Sequence, residues 1–492
     1  MPALILFWHR RDLRIEDSVG LHTARLLTPK VVGVFCFDPH ILQRDDVAPV
    51  RVYYLRECLA DLQREYERVG SELLILWADP VVAIPRLAQA LKAAAVYWHW
   101  DVEPYSRQRD QQVMDALNRQ GIAHRQFWDQ LLHAPTEILT KTGQPYTVFT
   151  PFWKNWSQQA KASPYPPLTN CTKLTETERQ IAQEAGVIPL PTMQALGFAW
   201  SGPWDYEPGT QGAKKLLAEF TQSAIYHYQE QRNFPAVNGT SRLSAALKFG
   251  VIGIRTVWQA TQACLQDFPG NESVVTWQQE LAWREFYQHG MYHFPELASR
   301  SYRTEFEAFS WENNEHYFRA WCAGETGYPM VDAAMRQLNQ TGWMHNRCRM
   351  IVASFLTKDL LIDWRWGERY FMQRLIDGDL SANNGGWQWS ASVGMDPRPL
   401  RIFNPNTQAA KFDPEAEYIY TWVPELRSVD VSQILRNEIT PLERRALGYP
   451  PPIVNHQKQQ QLFKQKYQMV SRFLTLPPSK DGGCLRSPQT DS

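Results

Sequence analysis

The chain has no excess of either charge. Its 51 Lys and Arg balance 51 Asp and Glu over 492 residues, so a nucleic-acid partner has to be gripped by a local basic face. It also lacks paired cysteines. The seven (Cys36, Cys58, Cys171, Cys264, Cys322, Cys348 and Cys484) are odd in number, scattered and never spaced Cys-x-x-Cys. That argues against a disulfide framework, a zinc site or an iron-sulfur cluster, and no metal is expected. No run approaches eighteen uninterrupted apolar residues. The apolar start, residues 1–8, leads directly into His9-Arg10-Arg11-Asp12 without a cleavage-site pattern. A reduced cytoplasmic protein with no membrane partner is the expectation. Internal repeats are absent, and the first β-α turn lacks the Gly-x-Gly-x-x-Gly pattern of dinucleotide sites.

What the chain does have in quantity is tryptophan, 20 in all, more than a core of this size calls for. Its length suggests two or three domains. Short β-forming apolar runs at residues 4–8, 31–37, 73–77 and 96–100 alternate with helix-length segments such as 50–69 and 82–92. They predict a doubly wound parallel α/β domain over residues 1–133. Sheets of this kind bind ligands at the carboxyl ends of their strands, which here carry Cys36 to Pro39 and Asp101-Val102-Glu103. Residues 134–208 lose periodicity and gain Pro and Gly, as in Pro164-Tyr165-Pro166-Pro167 and Ser201-Gly202-Pro203-Trp204. They read as an interdomain connector with room for short helices. In residues 209–475 apolar positions recur three and four apart (213–228, 244–250, 255–266, 273–293, 315–323, 328–340, 343–361), predicting an all-α domain. Residues 476–492 read as an unstructured tail.

Residues 377–396 fit neither pattern. Two carboxylates, Asp377 and Asp379, an Asn383-Asn384 pair, Gly385-Gly386 and the rings of Trp387 and Trp389 crowd a span that reads as a site in preference to the alternative, a tight turn with two core tryptophans. Its glycines would let a planar ligand come close. In the helix at 273–293, Glu280, Trp283, Arg284 and Tyr287 stand at relative positions zero, three, four and seven and share one face. A face meant for a plain core would not hold a carboxylate and a guanidinium beside its rings. Asn346 and Met350 stand four apart, as do His345 and Arg349; His345 alone is best read as a structural histidine. The hydroxyls of Thr240, Ser241 and Ser244 lead into a helix start, where free N–H groups can bind phosphate. With the 377–396 stretch, this points to a phosphorylated cofactor that carries rings.

These motifs together resemble the photolyase and cryptochrome family. They run from Phe7-Trp8-His9-Arg10-Arg11-Asp12-Leu13-Arg14, through Gly-Thr-Ser-Arg-Leu-Ser and Trp-Gln-Gln-Glu-Leu-Ala-Trp-Arg-Glu-Phe-Tyr, to Arg401-Ile402-Phe403-Asn404-Pro405. The wording is most similar to class I cyclobutane pyrimidine dimer photolyases of cyanobacterial type. The resemblance implies FAD in the helical domain, reduced and anionic when active. Thr240, Ser241, Arg242, Leu243 and Ser244 would lie at its diphosphate, and Tyr228, Trp277, Arg349, Asp377, Gly378 and Asp379 around the rest, with Asn383 at flavin N5. It implies a light-driven lyase acting on ultraviolet-damaged DNA. Glu280 and Asn346 would hydrogen-bond the flipped-out lesion, Met350 would line its pocket, and Trp283 and Trp389 would wall it. Arg232, Arg347, Arg401, Lys411 and Gln408 would meet DNA, together with Arg284 and Tyr287 of the Glu280 helix. Trp387, Trp364 and Trp311 would relay electrons to oxidised flavin. Cys36, Asp38, Arg51, Asp101, Glu103 and Lys248 would hold an antenna, 8-hydroxy-5-deazaflavin in preference to methenyltetrahydrofolate. A monomer without an obligate protein partner is implied. The alternatives are a cryptochrome photoreceptor and a non-catalytic flavin- or nucleotide-binding module; a (6-4) photolyase is disfavoured, because that branch has histidines where this chain has Asn346 and Met350.

Overall fold

The computed structural model describes residues 2–203, 207–395 and 400–473; Trp204, Asp396 and the 476–492 tail with Cys484 lie outside the described residues. Five parallel strands, β1 (Ile5–His9), β2 (Val31–Phe37), β3 (Leu73–Trp77), β4 (Ala95–His99) and β5 (Ala123–Phe127), form one sheet in the order β3-β2-β1-β4-β5. β1, β2 and β4 are buried along their whole length, as a sheet covered on both faces requires. Ile5 and Phe7 of β1 enter one core, and Leu6 and Trp8 enter another. Strand order reverses beside β1, so the turns after β1, β2 and β4 meet at the sheet's carboxyl edge. Sequence reasoning missed β5. Ala-His-Arg-Gln-Phe has no apolar run because it is a half-exposed edge strand.

The core under Ile5 and Phe7 is not closed by the sheet's own helices. Val50 and Tyr54 of α1 (Pro49–Arg68) share it with Phe249, Trp277 and Ile376 of the helical half, and the Tyr54 and Phe249 ring centroids are 5.4 Å apart. The connector is a belt and not a loose linker. Leu168, Cys171, Thr172 and Ile188 donate their backbone N–H groups to Ile15, Val69, Pro29 and Ile75. It includes the helix α2 (Phe149–Gln158).

Four further helices frame the site: α3 (Ser244–Phe249), the 22-residue α4 (Glu272–His293), α5 (Asn346–Ser354) and α6 (Trp364–Arg374). The 377–396 stretch is not a tight turn. It forms a fifth, α7 (Leu380–Ala391), whose first turn is capped by the Asp379 side chain accepting from Ala382 N at 3.0 Å. The glycine pair lies inside α7 and serves packing: a Cβ at Gly385 would fall 2.1 Å from the Tyr287 ring, whereas at Gly386 it would meet nothing within 4 Å. The expected continuous helix over 343–361 also divides. His345 caps α5 by accepting from Arg347 N, and residues Phe355–Asp359 widen into a π turn. Among the described residues no helix is long and apolar enough to cross a membrane.

Candidate active site

α4 and α5 both pack against α7, and the residues singled out in sequence come together where they meet. Arg349 of α5 donates Nη2 to Asp377 Oδ2 at 2.8 Å and Nε to the Met344 carbonyl at 2.9 Å. Asp377 Oδ1 is buried and has no partner. An unsatisfied buried carboxylate oxygen is costly unless a ligand donates to it. Below it, Asn383 gives its amide N–H to the Glu368 carbonyl at 3.0 Å, leaving its oxygen free to accept. Neighbouring Asn384 donates to the Glu368 carboxyl at 2.9 Å, a group that burial pushes up to about 7. Asp379 turns its second oxygen to Arg11. Burial opposes its charge, but Arg11 and then Lys248 hold the carboxyl well below the usual range.

Trp277 and Tyr228 are buried, both packed against Phe220. α3 has Leu243 at its N-cap and no side-chain cap bond, so none of the hydroxyls of Thr240, Ser241 and Ser244 caps it. Arg242, at φ +52°, lays its guanidinium over Trp343 at 4.7 Å. The uncapped start, the orphaned Asp377 oxygen and the open space over Gly386 fit a large polar ligand with a planar part.

Glu280 pairs with Arg232 at 2.9 Å, and Arg232 also covers the Tyr228 ring at 5.3 Å. Burial raises the Glu280 pKa and Arg232 pulls it back. Arg232 therefore holds a carboxylate in this state and is not a free phosphate clamp. Asn346 is exposed, with its amide nitrogen 4.0 Å from Met350 Sδ. Trp283 and Trp389 are half-buried. Tyr287 is tilted against Trp283 at 5.6 Å. Arg284 is turned by its partners to the sheet side. It donates to the Gln130 carbonyl at 2.8 Å and lies near Asp379 and Arg11, away from Glu280.

Near Arg232, Arg347 bonds Asn233 at 2.5 Å and covers Phe412 at 4.4 Å. Burial, then Arg232 and Arg401, lower its pKa to about 10, which marks a cluster of three guanidiniums. Arg401 and Lys411 are exposed, over Phe403 and Phe412 respectively, and Gln408 keeps a buried, unpartnered amide oxygen.

Trp387 and Trp364 are fully buried and Trp311 is half-buried. The Trp387 ring seats on Gly367, one turn beyond Trp364, where a Cβ would stand 2.1 Å from it. Trp311 is held near Trp364 by the next two residues: Glu312 N–H donates to the Leu361 carbonyl at 2.7 Å, and Asn313 accepts from Asp363 N, at the N-cap of α6, at 2.8 Å. Trp321 also meets Trp387 edge-on at 6.1 Å.

At the sheet's carboxyl edge, Cys36 donates to the Ala78 carbonyl, and burial keeps it a thiol with a pKa near 12. Asp38 accepts from Tyr105 Oη at 2.6 Å. Arg11 reaches Glu103 at 2.7 Å and Asp101 at 3.4 Å, and Lys248 Nζ lies 3.9 Å from Glu103 and 4.0 Å from Asp379. Arg51 spends its N–H groups on the carbonyls of Asp46, Met372 and Leu375, tying α1 to the helical half. Gly378 is what lets it approach, since a Cβ there would lie 2.0 Å from Arg51 Nη1. Sequence reasoning missed Arg11, Phe149, Glu285 and Glu368 as site residues. Only Glu285 left a signal, a carboxylate on a helix position flanked by core rings.

A doubly wound sheet joined to a helical half, with a buried, part-orphaned carboxylate, a cluster of three guanidiniums and buried tryptophans, defines a two-part α/β and all-α protein with a candidate site for a polar ligand. The comparisons make this specific. Residues 5–171 match the DNA photolyase family model and residues 277–469 the FAD binding domain of DNA photolyase. The chain is 55% identical to a deoxyribodipyrimidine photo-lyase of Synechococcus sp., over 98% of this chain and 99% of that one. It superposes on a class III photolyase of Agrobacterium tumefaciens with a TM-score of 0.87 at 34% identity (96% and 98% covered). A cryptochrome of Synechocystis sp. gives 0.86 at 27% (94% and 99%). The chain belongs to the DNA photolyase family.

Proposed function

We propose that the protein is a light-dependent DNA repair enzyme, a deoxyribodipyrimidine photo-lyase that splits cyclobutane pyrimidine dimers. The single observation that carries this is the 55% identity to a deoxyribodipyrimidine photo-lyase over nearly the whole chain, supported by the Arg349–Asp377 ion pair with its unpartnered Asp377 oxygen and by the Glu280–Arg232 pair. FAD bound there in reduced form supplies, on absorbing blue light, the single electron that opens the cyclobutane ring and takes it back afterwards. The protein's part is to bind, orient and exclude water. Arg349 and Asp377, already paired, and Asn383, whose amide is committed to Glu368 so that its oxygen can accept, would hold the ring system. Thr240 to Ser244 and the uncapped start of α3 take the diphosphate.

A damaged, poorly stacked pyrimidine pair costs less to flip from the duplex, and photolyases are a named case of that behaviour. Trp283 and Trp389 receive its rings. Asn346 and a protonated Glu280 donate to its carbonyl edge, where negative charge develops. Swinging Arg232 from Glu280 to a phosphate would favour that protonated form and recruit the backbone at once. Arg347, Arg401, Lys411 and Gln408 form the rest of the DNA face, and Arg284 is left out of it. Trp387, Trp364 and Trp311 serve as the path for electrons that reduce the cofactor.

Residues 1–133, with Cys36, Asp38, Asp101, Glu103 and Lys248 at the sheet edge, form an antenna domain. The cationic Lys248 beside Arg11 suits an ionised 8-hydroxy-5-deazaflavin better than a folate. Residues 134–208 are the connector and 209–475 the catalytic domain of a cytoplasmic monomer with no obligate protein partner. The test is ultraviolet-irradiated oligo(dT) mixed with reduced protein under blue light, in which thymine absorbance should recover. Unchanged absorbance with FAD bound and reduced would reject repair in favour of a photoreceptor, a reading the cryptochrome-like fold keeps open.

A further inference from the structure

The end of the α/β domain and the start of the connector, residues 130–156, are strapped to α4. Arg284 donates to the Gln130 carbonyl. Glu285, wholly buried, accepts from the backbone N–H groups of Leu132 and His133 and from Trp156 Nε1 at 2.7 Å. His289 and His293 bond the carbonyls of His133 and Pro135 at 3.0 and 2.9 Å. The strap delivers the first residue of α2, Phe149, onto Trp283: the rings are parallel within 7°, with centroids 3.6 Å apart. Phe286 meets both rings edge-on, at 5.9 and 5.6 Å. One face of Trp283 is thus closed by a connector residue, and the ring cannot tilt without breaking the stack. Stacked aromatic pairs are worth more than their buried area alone, and a wall held in place before binding loses less freedom on binding.

We infer that Phe149 is a positioning residue for dimer recognition: by stacking on Trp283 it fixes the plane of that wall, so the connector strap is part of the substrate site. This rests on the repair reading above. The experiment compares the full chain loaded with FAD against Phe149→Leu and Phe149→Trp. Dissociation constants are measured for an oligonucleotide with one thymine dimer and for its undamaged twin, alongside flavin absorption and the thermal midpoint. Phe149→Leu should weaken dimer binding about 2- to 10-fold, the range expected for one lost ring pair. It should leave undamaged-DNA affinity, the flavin spectrum and the midpoint unchanged, and Phe149→Trp should restore dimer binding. Unchanged dimer affinity, an equal loss on both DNAs, or loss of flavin or fold in Phe149→Leu would each overturn the assignment, the last by reducing Phe149 to a structural role. If the unsubstituted protein itself does not prefer the dimer, the repair reading fails first, and that outcome is seen without any variant.

Discussion

Glu280 shows how a single side chain is set by two opposed forces, burial that raises its pKa and Arg232 that lowers it. Removing the cation should raise the pKa further, so in Arg232→Met the protonated carboxyl persists to higher pH. Expressed as the ratio of dimer to undamaged affinity at each pH, which cancels any lost phosphate contact, the profile should move to higher pH. No shift, or a downward one, would show that Glu280 does not recognise the lesion as an acid. The glycine pair offers a second test. Gly385→Ala pushes a methyl into the Tyr287 ring and should cost about 1–3 kcal/mol in denaturant unfolding. Gly386→Ala meets open space and should cost nothing, or gain about 0.5–1 kcal/mol of helix propensity. Glu280, Asn346 and Trp389 could be picked out in the sequence because their types are wrong for a core. Phe149 and Arg11 could not, because each acquires its role from a partner more than a hundred residues away.

Among the elements, α7 carries the most chemistry and was the least readable. Its glycines and asparagines weaken helical propensity, so the stretch does not read as a helix, and only packing against α4, α5 and α6 makes it one. Because it is a helix, Asn383 and Trp387 stand four residues apart on one side, one bonded to the Glu368 carbonyl and the other against Gly367, both of α6. Trp387→Phe should therefore slow photoreduction of oxidised flavin, followed by absorbance under blue light, while chemically reduced enzyme keeps its repair. Loss of both activities would place Trp387 in the lesion pocket. The edge strand β5 and the π turn at Phe355–Asp359 escaped sequence reading for the complementary reason: each breaks the periodicity by which elements are recognised.

At the scale of the whole molecule, the two halves are joined by a buried charge network as well as by a shared apolar core. Arg11, from the first turn of the sheet, satisfies Asp101, Glu103 and Asp379 together. Arg11→Met strands three carboxylates and should destabilise the protein by about 3–5 kcal/mol in thermal or denaturant unfolding. The same network sets pH behaviour. Asp379, Asp101 and Asp129 are depressed below 3.8, so the stability they add is present above that value and is lost as pH falls through their lowered pKa values. Glu285 and Glu368, raised to about 7, add stability that is full below 4.5 and is lost as pH rises through 7. Stability from these groups should peak between 3.8 and 4.5 and fall as pH rises to 7, as denaturant midpoints across pH would show; a midpoint that rises between 4.5 and 7 would contradict it. The sequence by itself determined the fold class and the family, because periodicity and ordered motifs are local properties of the chain. The tertiary structure alone decided that Arg232 holds Glu280, that Arg11 ties the sheet to Asp379, and that the connector walls the site, because a side chain's partner and charge state depend on what folding brings beside it.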